Sequence, residues 1–171
     1  MVFKCGQEVS AVEDQEHNVD AAVAGVKGFA KTYVHSLDSK QRLTIPSVWR
    51  EVVGVPKMLY VLRGIKVRCL CVYPAREFDR RLEKLRTLSI GDLKGRQLLR
   101  TLASRSDQVT WDSQGRIRIS DELLEFADLR NQVVLAPAFD TFELWNPDLW
   151  KEQARVMDDD ALVEALQYIG L

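Results

Sequence analysis

One ten-residue segment occurs twice in this chain. Leu37-Asp38-Ser39-Lys40-Gln41-Arg42-Leu43-Thr44-Ile45-Pro46 returns as Trp111-Asp112-Ser113-Gln114-Gly115-Arg116-Ile117-Arg118-Ile119-Ser120, with Asp38 and Asp112 standing 74 positions apart. In both copies the aspartate precedes an arginine by four residues. Self-similarity at a fixed spacing restricts the architecture before any single residue is interpreted. Small duplicated β units rarely bury a core separately, so the two copies are expected to pair.

The order of elements extends the repeat beyond the decapeptide. Residues 30–37 alternate as a strand, 38–41 form a turn, and 42–45 return as a strand with Leu43 and Ile45 inward. Pro46 suits the start of a helix over 47–53, which Gly54 closes. Residues 57–63 and 66–73 read as a hairpin of β-branched and aromatic residues. Pro74 opens a charged amphipathic helix, and 91–104 form another.

The second copy follows the same plan. A strand at 108–111, a turn at 112–115 and a strand at 116–119 lead into a helix capped by Ser120. A hairpin at 132–137 and 141–145 follows, with Pro147 starting a helix that contains Trp150. The expectation is an α+β fold, mainly β, built from duplicated β-β-α-β-β units. Its parts are an acidic, flexible N-terminal extension (1–26), a first repeat (30–78), a helical connector (79–106), a second repeat (107–150) and a C-terminal helix (151–171).

Charge is unevenly distributed behind a net value of −1. Residues 1–26 carry −4, 27–75 carry +7, 76–105 carry +5 and 106–171 carry −9. A basic middle between acidic ends points to one basic face and a polyanionic partner. No run approaches the roughly 18 apolar residues that span a bilayer. The acidic opening has the wrong sign for a secretory leader, so a soluble, intracellular protein is expected, with no membrane partner.

Three cysteines make no disulfide framework. Cys69 and Cys71 share one strand face, and no second Cys/His pair completes a zinc site, so they read as buried free thiols. No metal and no cofactor are expected. Catalysis is disfavoured too: His17 and His35 stand alone, no Ser or Cys has a nucleophile context, and 23–28 lacks the spacing of a phosphate loop. No small-molecule substrate is implied. The tryptophans Trp111, Trp145 and Trp150 read as packing residues, and Trp49 as core rather than a base-stacking platform.

The repeated turn has a physical rationale. A carboxylate at its first position accepts backbone N–H groups that a hairpin tip otherwise leaves to water. Asp38 and Asp112 are therefore turn-structuring residues, as is Gly115. Arg42 and Arg116 open the return strands and project from the face opposite Leu43 and Ile117. Such guanidinium forks match phosphate oxygens or the O6/N7 edge of guanine. Lys40 at the tip and Arg118 two residues beyond Arg116 add charge to the same surface. The alternative, that each arginine merely pairs with its own turn aspartate, stays open.

The paired motifs resemble those of the MraZ family of bacterial regulators of the division and cell-wall gene cluster, within the SpoVT-AbrB superfamily. The segment 37–46 is similar to the first family motif, in which glycine usually stands where this chain has Gln41. Asp112-Ser113-Gln114-Gly115-Arg116 resembles the second and keeps its glycine. Phe142-Glu143-Leu144-Trp145 resembles the second-hairpin signature and Leu70 to Pro74 the first, so the likeness covers 28–155.

This resemblance implies a swapped-hairpin barrel made by both halves of one chain, and ring-like homo-oligomers of about eight or more subunits. It also implies a cytoplasmic, nucleoid-associated repressor bound to repeated boxes in double-stranded promoter DNA. Lys40 and Arg42 are its implied DNA contacts, with Arg116 the second-copy counterpart. An AbrB-like assembly module and an antitoxin-type operator binder are the alternative readings. If the turn needs positive φ at Gln41, glutamine costs about 1 kcal/mol relative to glycine there.

Overall fold

A computed structural model describes residues 28–86, 92–153, 159–168 and 170. The expected N-terminal extension lies outside the described residues. In chain order the strands are β1 (Tyr33–Ser36), β2 (Arg42–Thr44), β3 (Met58–Arg63), β4 (Cys69–Pro74), β5 (Ser106–Thr110), β6 (Arg116–Arg118), β7 (Gln132–Ala138) and β8 (Thr141–Trp145). The helices are α1 (Ser47–Val53), α2 (Ala75–Arg86), α3 (Leu93–Ser104), α4 (Asp121–Phe126), α5 (Pro147–Gln153) and α6 (Asp159–Tyr168). The fold is α+β and mainly β, as expected. No helix among the described residues is long and apolar enough to cross a membrane.

Pairing exchanges strands between the repeats. Six strands form one sheet in the order β1-β7-β8-β4-β3-β5, and β2 pairs with β6 in a separate ribbon. The first strand of each repeat thus joins the other repeat's hairpin: β1 lies on β7, β5 on β3, and β4 joins β8 at the centre. All of these pairs are antiparallel. The ribbon links the two sheet edges, because β2 follows β1 and β6 follows β5 through the repeated turns.

Alternation assigns the sheet two faces. Leu59, Val61, Leu70, Val72, Leu135, Phe142 and Leu144 point inward and are essentially inaccessible. Leu43 and Ile45 from the first repeat, and Ile117 and Ile119 from the second, enter the same core. Trp49 on α1 closes it at 1% exposure, in ring contact with Phe29, Tyr33 and Phe142. Its indole N–H donates to the Ala30 carbonyl at 3.0 Å. That placement makes Trp49 a core residue. Trp145 is buried on the outer face against Trp150, and Trp111 packs half-buried on the core.

Several boundaries differ from the sequence reading. Strand β1 begins at Tyr33 rather than 30, because Lys31 adopts φ +65°, which breaks extended pairing. Pro74 ends β4 opposite Leu59 instead of opening α2. Strand β5 begins earlier, at Ser106, where it pairs with Leu62. Ser120 sits at the N-cap of α4 but makes no side-chain cap, its backbone N–H instead donating to Asp107 at 3.2 Å.

Leu43 and Ile117 face each other at the middle of the ribbon, both with no accessible surface. Replacing Leu43 by alanine should cost about 3 kcal/mol, the transfer energy of the lost atoms plus a cavity that a two-sided core cannot collapse. A urea titration followed by tryptophan fluorescence measures this; an unchanged midpoint would show that the ribbon is not packed into the core.

Candidate nucleic-acid interface

The two repeated turns meet across a pseudo-two-fold axis through Leu43 and Ile117. Register pairs Arg42 with Arg118 and Thr44 with Arg116, all on the outward face. In the first turn one Asp38 oxygen accepts the backbone N–H groups of Lys40 and Arg42, each at 2.9 Å. Its other oxygen takes the Arg42 guanidinium, at 2.7 Å from both Nε and Nη2. The second turn repeats this: Asp112 accepts from the backbone of Gln114 and Arg116 and holds the Arg116 guanidinium at 2.8–2.9 Å.

The turns are also tied to each other. Arg42 Nη1 lies 3.7 Å from Asp112, and Arg116 Nη1 lies 3.8 Å from Asp38. The Gly115 carbonyl accepts the N–H of Ile45 at 2.9 Å, and the Gln41 carbonyl that of Ile119 at 3.5 Å. Two carboxylates and two guanidiniums therefore form a closed ionic box on the outer face of a ribbon only three residues long. Hydrogen bonds from each turn's own arginine side chain are the main reason that both carboxyls are held at about 2, against a usual 3.8. Backbone N–H donors add to the effect.

The structure places the four predicted cations on one surface but in two different states. Arg42 and Arg116 are one-quarter exposed and occupied by carboxylates. Lys40 and Arg118 are exposed, and among the described residues neither makes an ion pair. Lys40 stands at the tip of the first turn. Arg118 shares a shallow depression with Asp107, Gln108, Ser120 and Asp121, so two nearby carboxylates moderate its field.

The tips are not equivalent. Gln41 adopts φ +58° and Gly115 φ +76°, so both copies require the left-handed region that glycine occupies without strain. A side chain at Gly115 would also collide with Arg50, whose guanidinium atoms lie 2.5–2.7 Å from where a Cβ would stand. Arg50 reaches this turn from α1 of the other repeat, and its Nε is buried without a partner. The second tip, which has Gln114 where the first has Lys40, thus acquires a cation from elsewhere. Sequence reasoning missed Arg50, because only the swapped packing of α1 over the second turn brings it there.

The family model described as "MraZ protein, putative antitoxin-like" matches residues 29–101 and again 102–166. The chain belongs to the MraZ family. It is 35% identical over 133 residues to a protein of Roseiflexus castenholzii named transcriptional regulator MraZ, covering 78% of this chain and 91% of that one. Relatives of the same name from Clostridium acetobutylicum (31% over 144 residues; 84% and 99% covered) and Dictyoglomus thermophilum (37% over 124 residues; 72% and 83%) are similar. The name is a regulator's, not an enzyme's. The two matched segments meet at residues 101–102, within α3.

Two predictions follow from the turns. Gln41→Gly should stabilise the fold by about 0.5–1 kcal/mol, strain relief exceeding the entropy gained by the unfolded chain, whereas Gly115→Ala should destabilise it. Thermal melting distinguishes them; shifts of the same sign, or no shift, would contradict the observed φ values. The second concerns acid. Both aspartates have lowered carboxyl pKa values in the folded state, so their stabilisation is complete above about pH 4 and is lost as pH falls through about 2. Denaturant titrations across that window should show the loss in the natural chain and a flatter profile in an Asp38→Asn, Asp112→Asn double variant.

Proposed function

We propose that this protein is a sequence-specific, double-stranded-DNA-binding transcriptional regulator, a repressor of the division and cell-wall gene cluster. It works in the cytoplasm, associated with the nucleoid, as a homo-oligomeric ring on repeated promoter boxes. The observation that carries this reading is the outward face of the β2–β6 ribbon, where Lys40, Arg42, Arg116 and Arg118 surround two carboxylates. Relatives named transcriptional regulators support it, as does the basic middle of the chain.

The four cations divide the work. Lys40 and Arg118 retain free donors and contact phosphate oxygens or base edges directly. Arg42 and Arg116 hold the tips in shape and present the edges of guanidinium groups whose rotamers are already fixed. Arg50 supplies the second tip with the charge that Gln114 lacks. A surface this small binds weakly at physiological salt, because few phosphates are neutralised. Assembly into a ring sets several such surfaces in register with repeated boxes, so avidity provides occupancy. Repression follows from exclusion of polymerase from the covered promoter.

The test separates contact from support. Fluorescence anisotropy with duplexes selected from the genome of origin should show binding that weakens steeply with salt. Lys40→Ala and Arg118→Ala should each weaken it about tenfold with melting temperature unchanged. Arg42→Ala should weaken binding and lower the melting temperature together, since Asp38 loses its partner. Full affinity in a Lys40→Ala, Arg118→Ala double variant would refute the interface, and a chain that sediments as a 19.6 kDa monomer would refute the avidity mechanism.

A further inference from the structure

The outer face of the six-stranded sheet, away from the ribbon, carries a cluster that DNA recognition leaves unused. Alternation along β4 puts Cys69, Cys71 and Tyr73 on that face. Register sets Trp145 of β8 beside Cys69, and Glu143 beside Cys71. The two thiol sulfurs and a Glu143 carboxylate oxygen all lie within 4.8 Å of one another. Cys69 is fully buried and Cys71 half-buried, under Val67, Leu149 and Trp150.

The chemistry of this trio is selective. Two neighbouring thiols, one of them fully buried, lie beside one carboxylate on the sheet face. A thiolate is what a metal ion needs. Glu143 is oriented as well: one of its oxygens accepts the Trp145 indole N–H at 2.8 Å. Outer-shell hydrogen bonds of this kind fix a ligand's direction. A disulfide suits the pair poorly, since two residues along a strand advance about 6.8 Å, the outer limit of Cα separation for that bond. Donors around a tetrahedral zinc ion sit about 3.5–3.8 Å apart, so small rotations of three side chains would suffice.

We propose that Cys69, Cys71 and Glu143 form a binding site for a thiophilic divalent cation of the zinc type, with two thiolates and one carboxylate oxygen as ligands. Two sulfurs and one oxygen suit that borderline-soft class better than magnesium or calcium. Binding forms two metal–sulfur bonds and one metal–oxygen bond and releases the thiol protons to solvent; no electron is transferred. The ion would sit on the β4–β8 seam, where the first repeat's hairpin joins the second's. Occupancy therefore ties the repeats together and raises stability by linkage.

The experiment is a cobalt titration of the reduced, chelator-stripped full-length chain. One equivalent should produce a near-ultraviolet thiolate-to-cobalt charge-transfer band, bleached by zinc, and zinc should raise the melting temperature. Cys71→Ser should abolish the band. Glu143→Gln, which keeps an acceptor for Trp145, should weaken binding about tenfold or more. Cys5→Ser should leave the band intact. A missing band, a band that survives Cys71→Ser, or one that depends on Cys5 overturns the proposal. Circular dichroism of each variant shows that it is folded.

Discussion

Everything on the candidate interface depends on how four charged side chains are satisfied around the ribbon axis. Arg42 and Arg118 are cross-strand neighbours, and like charges placed directly opposite one another destabilise a β pair. A ribbon of three pairs has little intrinsic stability to spare. Asp38 and Asp112 resolve the conflict. Each gives one oxygen to its own turn's backbone and the other to a guanidinium, and each lies within 4 Å of the opposite turn's arginine as well. The inward side chains Leu43 and Ile117 anchor the ribbon, and the box holds its outer face.

Strand exchange makes this arrangement a property of the whole chain. Neither repeat forms a complete sheet with its own strands, since β1 completes the second hairpin and β5 the first. Docking of the two copies ties the turns to each other, Ile45 donating to the Gly115 carbonyl and Ile119 to that of Gln41. The candidate interface and the core therefore share one set of strand pairings between the repeats. Ordering two arginines on folding also removes their rotamer entropy before any ligand arrives, a preorganisation that the proposed duplex recognition draws on.

What could be read from the residues alone was whatever depends on nearby positions. The duplicated turn, the carboxylate accepting its own backbone, the inward Leu43 and Ile117 and the outward arginines all follow from four-residue spacing and strand alternation. The demand for positive φ at Gln41 was visible as a condition, through the glycine that the resembling family motif usually has there. Long-range pairing hid the remainder. Arg50 lies over Gly115 only because α1 crosses to the other repeat, and Glu143 meets Cys69 and Cys71 only because β8 pairs with β4. The left-handed Lys31 that shortens β1 and the uncapped Ser120 likewise reflect tertiary context.

Divergence between the two tips bears on what a pseudo-symmetric reader can do. Two identical tips would present the same surface after a half-turn and would accept a box in either orientation. Here one tip carries Lys40 and a strained Gln41, and the other carries Gln114 and a glycine roofed by Arg50. Arg118 further distinguishes the strands, since its counterpart by repeat position is Thr44. Under the proposed function such polarity matters. Head-to-tail subunits in a ring keep one orientation, so they match boxes repeated in the same direction and not inverted ones. The box supplies a common scaffold, and the departures from symmetry around it give that scaffold a direction.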